Sequence, residues 1–157
     1  IDFSMPYSGN MQVCVVRAED AGTYQSTEDM VGANIAVEAE SAGQKAVEAD
    51  ENLSQAEMVA VGAQSDTLME VAAGTSDVAV IDAVMAYASV GEGTSYSDLV
   101  VVDGIELGKE EYGIGFRKGS NLVEAVNTAL QELTDEGVLD ELQQKYPSVL
   151  VTLEKSA

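Results

Sequence analysis

Two short stretches of this chain place groups capable of chemistry where a helix should begin. The first is Ser41-Ala42-Gly43, which follows the apolar run Asn34-Ile35-Ala36-Val37. Ser41 with Gln44 three residues on has the spacing of a capping box, which starts a helix. The first turn of a helix leaves unpaired N–H groups and a partial positive charge, which suits a carboxylate or a phosphate. Small residues there let an anion touch the backbone. The same motif also serves as a plain cap, and Glu38 and Glu40 beside it would repel an anion. The second stretch ends at Asp82, after Val78-Ala79-Val80-Ile81. In open α/β sheets ligands bind beyond the carboxyl ends of strands, and a carboxylate there can pair with an ammonium group. Asp82 can equally cap a helix starting at Ala83. Taken together, the two places match the two ends of one ligand. N–H groups at Ser41, Ala42 and Gly43 would take a carboxylate and Asp82 an ammonium, which describes an α-amino acid.

Other chemistry is scarce. The chain has no His, so Ser-His-Asp and Cys-His arrangements are excluded, along with the commonest metal ligand. There is no phosphate-loop motif and no G-x-G-x-x-G. The two glycines of Tyr112-Gly113-Ile114-Gly115-Phe116 fall in a strand-like run, where they ease tight packing. The pairs Glu110-Glu111, Asp135-Glu136 and Asp140-Glu141 lack the spacing of a calcium loop and read as solvated faces. The single cysteine, Cys14, lies in the apolar run Val13-Cys14-Val15-Val16 and reads as a small buried hydrophobe. We therefore expect no catalytic residue, no metal and no cofactor.

The positioning elements follow from periodicity and caps. Met11–Arg17 reads as a strand apolar on both faces, as in a buried parallel sheet. Ser26 to Asp29 resembles a capping box before a short helical turn ending at Gly32. Asn34–Glu38 is the next strand, and a helix runs from Ser41 to about Glu51. Glu57–Val61 is strand-like. Ser65 or Asp66 caps a helix carrying Leu68, Met69 and Ala72, which Gly74 ends. Asp77–Ile81 is a central strand, followed by a helix from Ala83 to Val90. Leu99–Val102 and Tyr112–Phe116 complete the strands. After the candidate cap Ser120, Leu122, Val126, Leu130 and Leu133 repeat at helical spacing. Val138, Leu139, Leu142 and Tyr146 form a second helix, stopped by Pro147. Strands alternating with helices imply an α/β fold, a mostly parallel sheet flanked by helices, with a helical tail at the C-terminus.

Length and charge bound the rest. A chain of 157 residues is one domain as a prior and buries roughly 70% of its unfolded surface. Its 28 acidic residues against 7 basic ones give a net charge of −21. That argues against nucleic acid, which needs a basic footprint, and against anionic membrane surfaces. No apolar run is long enough to span a bilayer as a helix. The chain opens on Ile1-Asp2-Phe3-Ser4 with no leader, and the expectation is that its true start lies upstream.

The motifs in order resemble a family: the extracellular solute-binding proteins of amino-acid ABC importers, with the type II periplasmic-binding fold. Phe3 to Tyr7 is similar to F-S-x-P-Y, and Gln12 to Arg17 to the first crossover strand. STEDMVGANIAV at 26–37 resembles s-x-x-D-L-x-G-x-x-I-A-V. ESAGQ at 40–44 falls where G-S-x-G-E or G-T-T-x-E is frequent. DVAVIDAVMA at 77–86 resembles D-A-V-x-x-D-x-x-x-A, YGIGFRKG at 112–119 the returning strand, and Leu133 to Tyr146 the last helices. Glu40 stands in place of a usual Gly, and Gln44 in place of a frequent Glu.

The resemblance implies one lobe of a two-lobed fold, with the ligand in the cleft between lobes. Residues 1–10 would be a remnant of lobe 1 leading to the hinge. Residues 11–113 would be lobe 2 with the hinge strands near Gln12 and Tyr112. Residues 114–157 would be a return segment and C-terminal helices that pack on lobe 1. Lobe 1 itself, with the family's carboxylate-clamping Arg, would be largely missing. By position, Ser41 and the N–H groups of Ala42 and Gly43 would hold the ligand carboxylate and Asp82 its ammonium. The implied function is to bind an amino acid outside the cell, at a cell surface or in a periplasm, and deliver it to an ABC permease. Membrane contact would come only through a missing lipid anchor. Leu122, Val126, Leu130, Leu142 and Tyr146 would expose an apolar face in a lone monomer and allow a homodimer. The alternatives are a dehydratase-like enzyme on the same fold, or the ligand-sensing domain of a receptor.

Overall fold

A computed structural model of the chain describes residues 1–156. The chain divides into two compact units. One is Met11–Lys109; the other joins Ile1–Asn10 to the chain from Glu110 on.

The larger unit is an α/β layer structure. Its strands are the Met11–Arg17 part of β2 (Ser8–Arg17), β3 (Asn34–Glu38), β4 (Glu57–Val61), β5 (Val78–Asp82) and β6 (Leu99–Val101). They lie in the order β4-β3-β5-β2-β6. β3 is parallel to both β4 and β5, and each of these three strands is followed by a helix. These are α1 (Ala42–Ala49), α2 (Gln64–Ala73) and α3 (Ala83–Ser89). The α/β fold with a helix-flanked sheet is as expected, but the sheet is mixed rather than mostly parallel: β3 pairs parallel with β4 and β5, and β2 departs from that reading. It is buried on both faces yet runs antiparallel to β5 and β6. Burial on both faces fixes an apolar run and leaves its direction open.

Side chains alternate across this sheet, as strand geometry requires. Cys14, Val16, Ile35, Val37, Val78 and Val80 turn to one face, where they pack with Val47 of α1, Met30 and Leu53. Val13, Val15, Ala36, Ala79 and Ile81 occupy the other register and are also buried, as are Leu68 and Val71 of α2. Each such fully buried Val, Leu or Ile contributes about 1.5–3 kcal/mol relative to an exposed one.

Arg17 ties down the edge where β5 begins. Its guanidinium donates to the carbonyls of Val71 and Ser76, both at 2.9 Å, and pairs with Asp20 at 2.7 Å and Asp77 at 3.5 Å. The Val71 carbonyl belongs to the last turn of α2, so Arg17 satisfies a helix C-terminus that Gly74, at φ 76°, also closes.

The smaller unit contains β1 (Asp2–Phe3), the start of β2, β8 (Gly115–Phe116), α4 (Leu122–Asp135), α5 (Val138–Lys145) and β9 (Leu150–Val151). β1 pairs antiparallel with β8, and Ser8 and Gly9 of β2 pair with Val151 and Leu150. The expected strand Tyr112–Phe116 is broken. β7 (Leu107–Tyr112) ends at Tyr112, and β8 resumes at Gly115. Ser4 occupies the break: its N–H donates to the Ile114 carbonyl and its hydroxyl accepts from the Ile114 N–H, both at 2.9 Å. The cap of α4 is Asn121, without a side-chain cap bond; Ser120 Oγ accepts from the Leu122 N–H at 3.3 Å instead. Gly137, at φ 83°, turns the chain from α4 into α5.

Candidate functional site

Because β3, β4 and β5 are parallel, their carboxyl ends lie at one edge of the sheet, and α1, α2 and α3 all start there. Three helix N-termini at one edge concentrate unpaired N–H groups and partial positive charge. The candidate residues Ser41, Ala42, Gly43 and Asp82 belong to this edge.

The α1 start is a reciprocal capping box. Ser41 Oγ accepts from the Gln44 N–H at 3.1 Å, and Gln44 Oε1 accepts from the Glu40 N–H at 2.8 Å. The N–H groups of Ala42 and Gly43, in the first turn, have no intrahelical partner. The turn that presents them needs a left-handed residue, and Glu40 takes that role at φ 61°. Gly43 is buried against β5. A Cβ on it would lie 2.7 Å from the Val80 carbonyl oxygen, so only glycine lets α1 approach the strand this closely.

Asp82 ends β5 and caps α3, with Oδ1 accepting from Val84 N–H at 2.8 Å and from Met85 N–H at 3.3 Å. Its own N–H donates to Gln64 Oε1 at 3.1 Å. Gln64 opens α2, whose N-cap is Ala63 with no side-chain bond. The expected cap at Ser65 or Asp66 is therefore corrected: both lie inside the first turn. Gln64 was not singled out from the sequence, because its partner lies eighteen residues away and no local spacing encodes that contact. Gln12 was likewise missed as part of this edge. It is the register partner of Asp82 across β2 and β5, and its Oε1 lies 3.3 Å from where a Gly43 Cβ would stand. The available signal was a polar residue in phase with the inward-facing Cys14 and Val16.

A cavity of about 690 Å³ opens at the other edge of the sheet, lined by Arg17, Ala72, Tyr96 and Asp98 among others. Its guanidinium is already committed to four partners. Among the described residues no cluster of three or more His, Cys, Asp or Glu is placed to hold a metal ion, and no helix is long and apolar enough to cross a membrane.

Comparison with known proteins defines the class. Residues 1–149 match the bacterial extracellular solute-binding proteins, family 3, and the chain belongs to that family. Among curated proteins it is similar to the L-cystine-binding protein TcyJ of Escherichia coli, at 24% identity over 96% of this chain and 55% of that one. The chain thus spans about half the length of the curated relatives it matches. Among solved structures it is similar to an ancestral arginine-binding protein bound to arginine, at 28% identity and TM-score 0.66, covering 92% of this chain and 63% of that one. It is also similar to an ancestral amino acid-binding protein that is a precursor of cyclohexadienyl dehydratase, at 28% identity and TM-score 0.67, covering 92% and 61%. All three are named as amino-acid-binding proteins, and over the matched part the two solved structures share the α/β fold described above.

Proposed function

We propose that this chain forms the greater part of one lobe, and half of the ligand site, of a protein that binds an α-amino acid outside the cell and passes it to an ABC permease. The observation that carries this reading is the pairing of complementary groups at one sheet edge. The first-turn N–H groups of Ala42 and Gly43 suit a carboxylate, and the Asp82 carboxylate suits an ammonium. The named ligands of the relatives, L-cystine and arginine, are α-amino acids. The remaining length of those relatives corresponds, in this reading, to the rest of a first lobe, with residues 114–157 packing on it. The exposed apolar side chains of the smaller unit support this: Phe3, Ile114, Leu122, Leu142 and Tyr146 all face solvent. Ligand closure of two lobes is a hinge motion driven by contacts made only in the closed state.

The test is calorimetric titration of the protein at its full natural length with the standard amino acids and L-cystine. Saturable binding of one or a few of them is the expected result. Heats no larger than dilution for every one of them would overturn the reading.

A further inference from the structure

β4 stands at one end of the strand order β4-β3-β5-β2-β6, and among the described residues it pairs only with β3. The Glu57 N–H donates to the Ala33 carbonyl at 2.9 Å, and the Val61 carbonyl accepts from the Ala39 N–H at 2.9 Å. Glu57, Val59 and Val61 therefore turn their backbone groups towards β3. Met58 and Ala60, in the opposite phase, turn theirs off the edge of the sheet. Edge strands are usually guarded by Lys, Pro, a bulge or short length. β4 has none of these guards. Its residues Glu57-Met58-Val59-Ala60-Val61 pair with β3 in unbroken register, and Met58 is 39% exposed. The strand at the other end of the order, β6, is shorter, with Asp98 just before it and Asp103 shortly after it.

We propose that the β4 edge joins a second copy of this chain, β4 against β4, so that one sheet runs through both molecules. Such an interface is isologous, the same strand serving both sides of a two-fold axis. The strand is self-complementary in one antiparallel register. Met58 of each copy stands opposite Ala60 of the other, and the two exchange both backbone hydrogen bonds, so every outward-facing backbone group of these residues is paired. A long side chain then meets a short one across the seam, and Val59 faces Val59 on the axis. Glu57 falls opposite Val61, not opposite its own copy. The two Glu57 residues lie four positions apart along the strands, about 14 Å at 3.4 Å per residue, beyond the screening length of about 8 Å in physiological salt. The net charge of −21 on each chain opposes approach, so association strengthens as salt is added. This inference does not depend on which ligand the protein binds.

The experiment uses the full-length protein and three variants: Val59→Cys, Glu57→Cys and Ala60→Pro. In the proposed register Val59 forms a non-hydrogen-bonded pair with its own copy, at a Cα separation of about 4.5 Å, which a disulfide spans. Glu57 is too far from its own copy for that. Cys14 is fully buried and takes no part. Ala60→Pro removes an outward N–H and leaves the ladder to β3 intact. Sedimentation velocity on the parent is expected to show a monomer–dimer equilibrium that shifts to dimer with salt. Mild oxidation is expected to link Val59→Cys at least roughly tenfold faster than Glu57→Cys. Ala60→Pro is expected to weaken dimerisation roughly tenfold or more with the circular dichroism spectrum unchanged. A parent that stays monomeric up to about 1 mM overturns the inference. So do equal cross-linking rates for the two cysteine variants, and so does a folded Ala60→Pro that dimerises like the parent, since association then runs through another surface. If Ala60→Pro does not fold, the comparison of the two cysteine variants decides.

Discussion

Glu40 shows how one residue sets the candidate site. It holds a left-handed backbone at φ 61° so that its N–H can reach Gln44 Oε1 and Ser41 can cap α1. A non-glycine residue in that region is strained by about 1 kcal/mol. Glu40→Gly keeps the N–H and removes the strain, and is expected to raise the thermal midpoint by about 2–4 °C; differential scanning calorimetry checks it. Gly43→Ala should act oppositely. Its Cβ meets the Val80 carbonyl at 2.7 Å, so α1 must move off the strand at a cost of about 1–3 kcal/mol, measurable by urea unfolding. Cys14 is fully buried, and burial, with a smaller contribution from Asp50, pushes its thiol up to about 12. It should resist iodoacetamide at pH 8 in the native protein and react once the chain is unfolded. Because the folded value lies above the ordinary 9.0, the sign is fixed. Its contribution to stability is complete below pH 9 and declines as pH rises towards 12, since only the unfolded thiol ionises in that window.

At the level of elements, Arg17 holds the end of α2, the start of β5 and the turn at Asp20 together through four contacts. Arg17→Met should cost about 2–4 kcal/mol in urea unfolding, because it strips charge-assisted bonds from partly buried carbonyls. Ligand affinity should change little, since Arg17 lies at the edge opposite Asp82. The elements also show what the chain made legible before folding. Ser41 with Gln44, and Asp82 after four apolar residues, were readable as caps because capping is local chemistry over three or four residues. The start of α2 was not, because Gln64 turns its carboxamide to the Asp82 N–H from a distant element. The direction of β2 was not, because apolar runs record burial and not polarity of pairing. The split of Tyr112–Phe116 was not, because Ser4, more than a hundred positions away, makes it. Short-range signals thus located the Ser41 and Asp82 positions. Long-range contacts supplied Gln12, Gln64 and the breaks.

At the scale of the molecule, the two units differ in how much they bury. The larger one has an apolar core on both faces of its sheet. In the smaller one α5 has no buried residue, and α4 buries only Thr134. Leu122 is 56% exposed and Tyr146 50%, while Val126 and Leu130 are half-buried. An apolar surface of this kind favours association. The 157-residue chain alone is expected to show concentration-dependent association in sedimentation velocity and to bind a hydrophobic dye. A single sharp monomer without dye binding would contradict the proposal that this surface needs a cover.

The central claim is that Asp82 receives the ammonium group of an α-amino acid whose carboxylate sits at the start of α1. The most direct measurement is the dissociation constant of the full-length protein and its Asp82→Ala variant for the same amino acid, by calorimetry. Removing one partner of a desolvated ion pair costs about 2–5 kcal/mol. The account therefore predicts a loss of roughly thirtyfold or more, with the larger unit still folded by circular dichroism. Affinity retained within about threefold would contradict it and place the ammonium elsewhere.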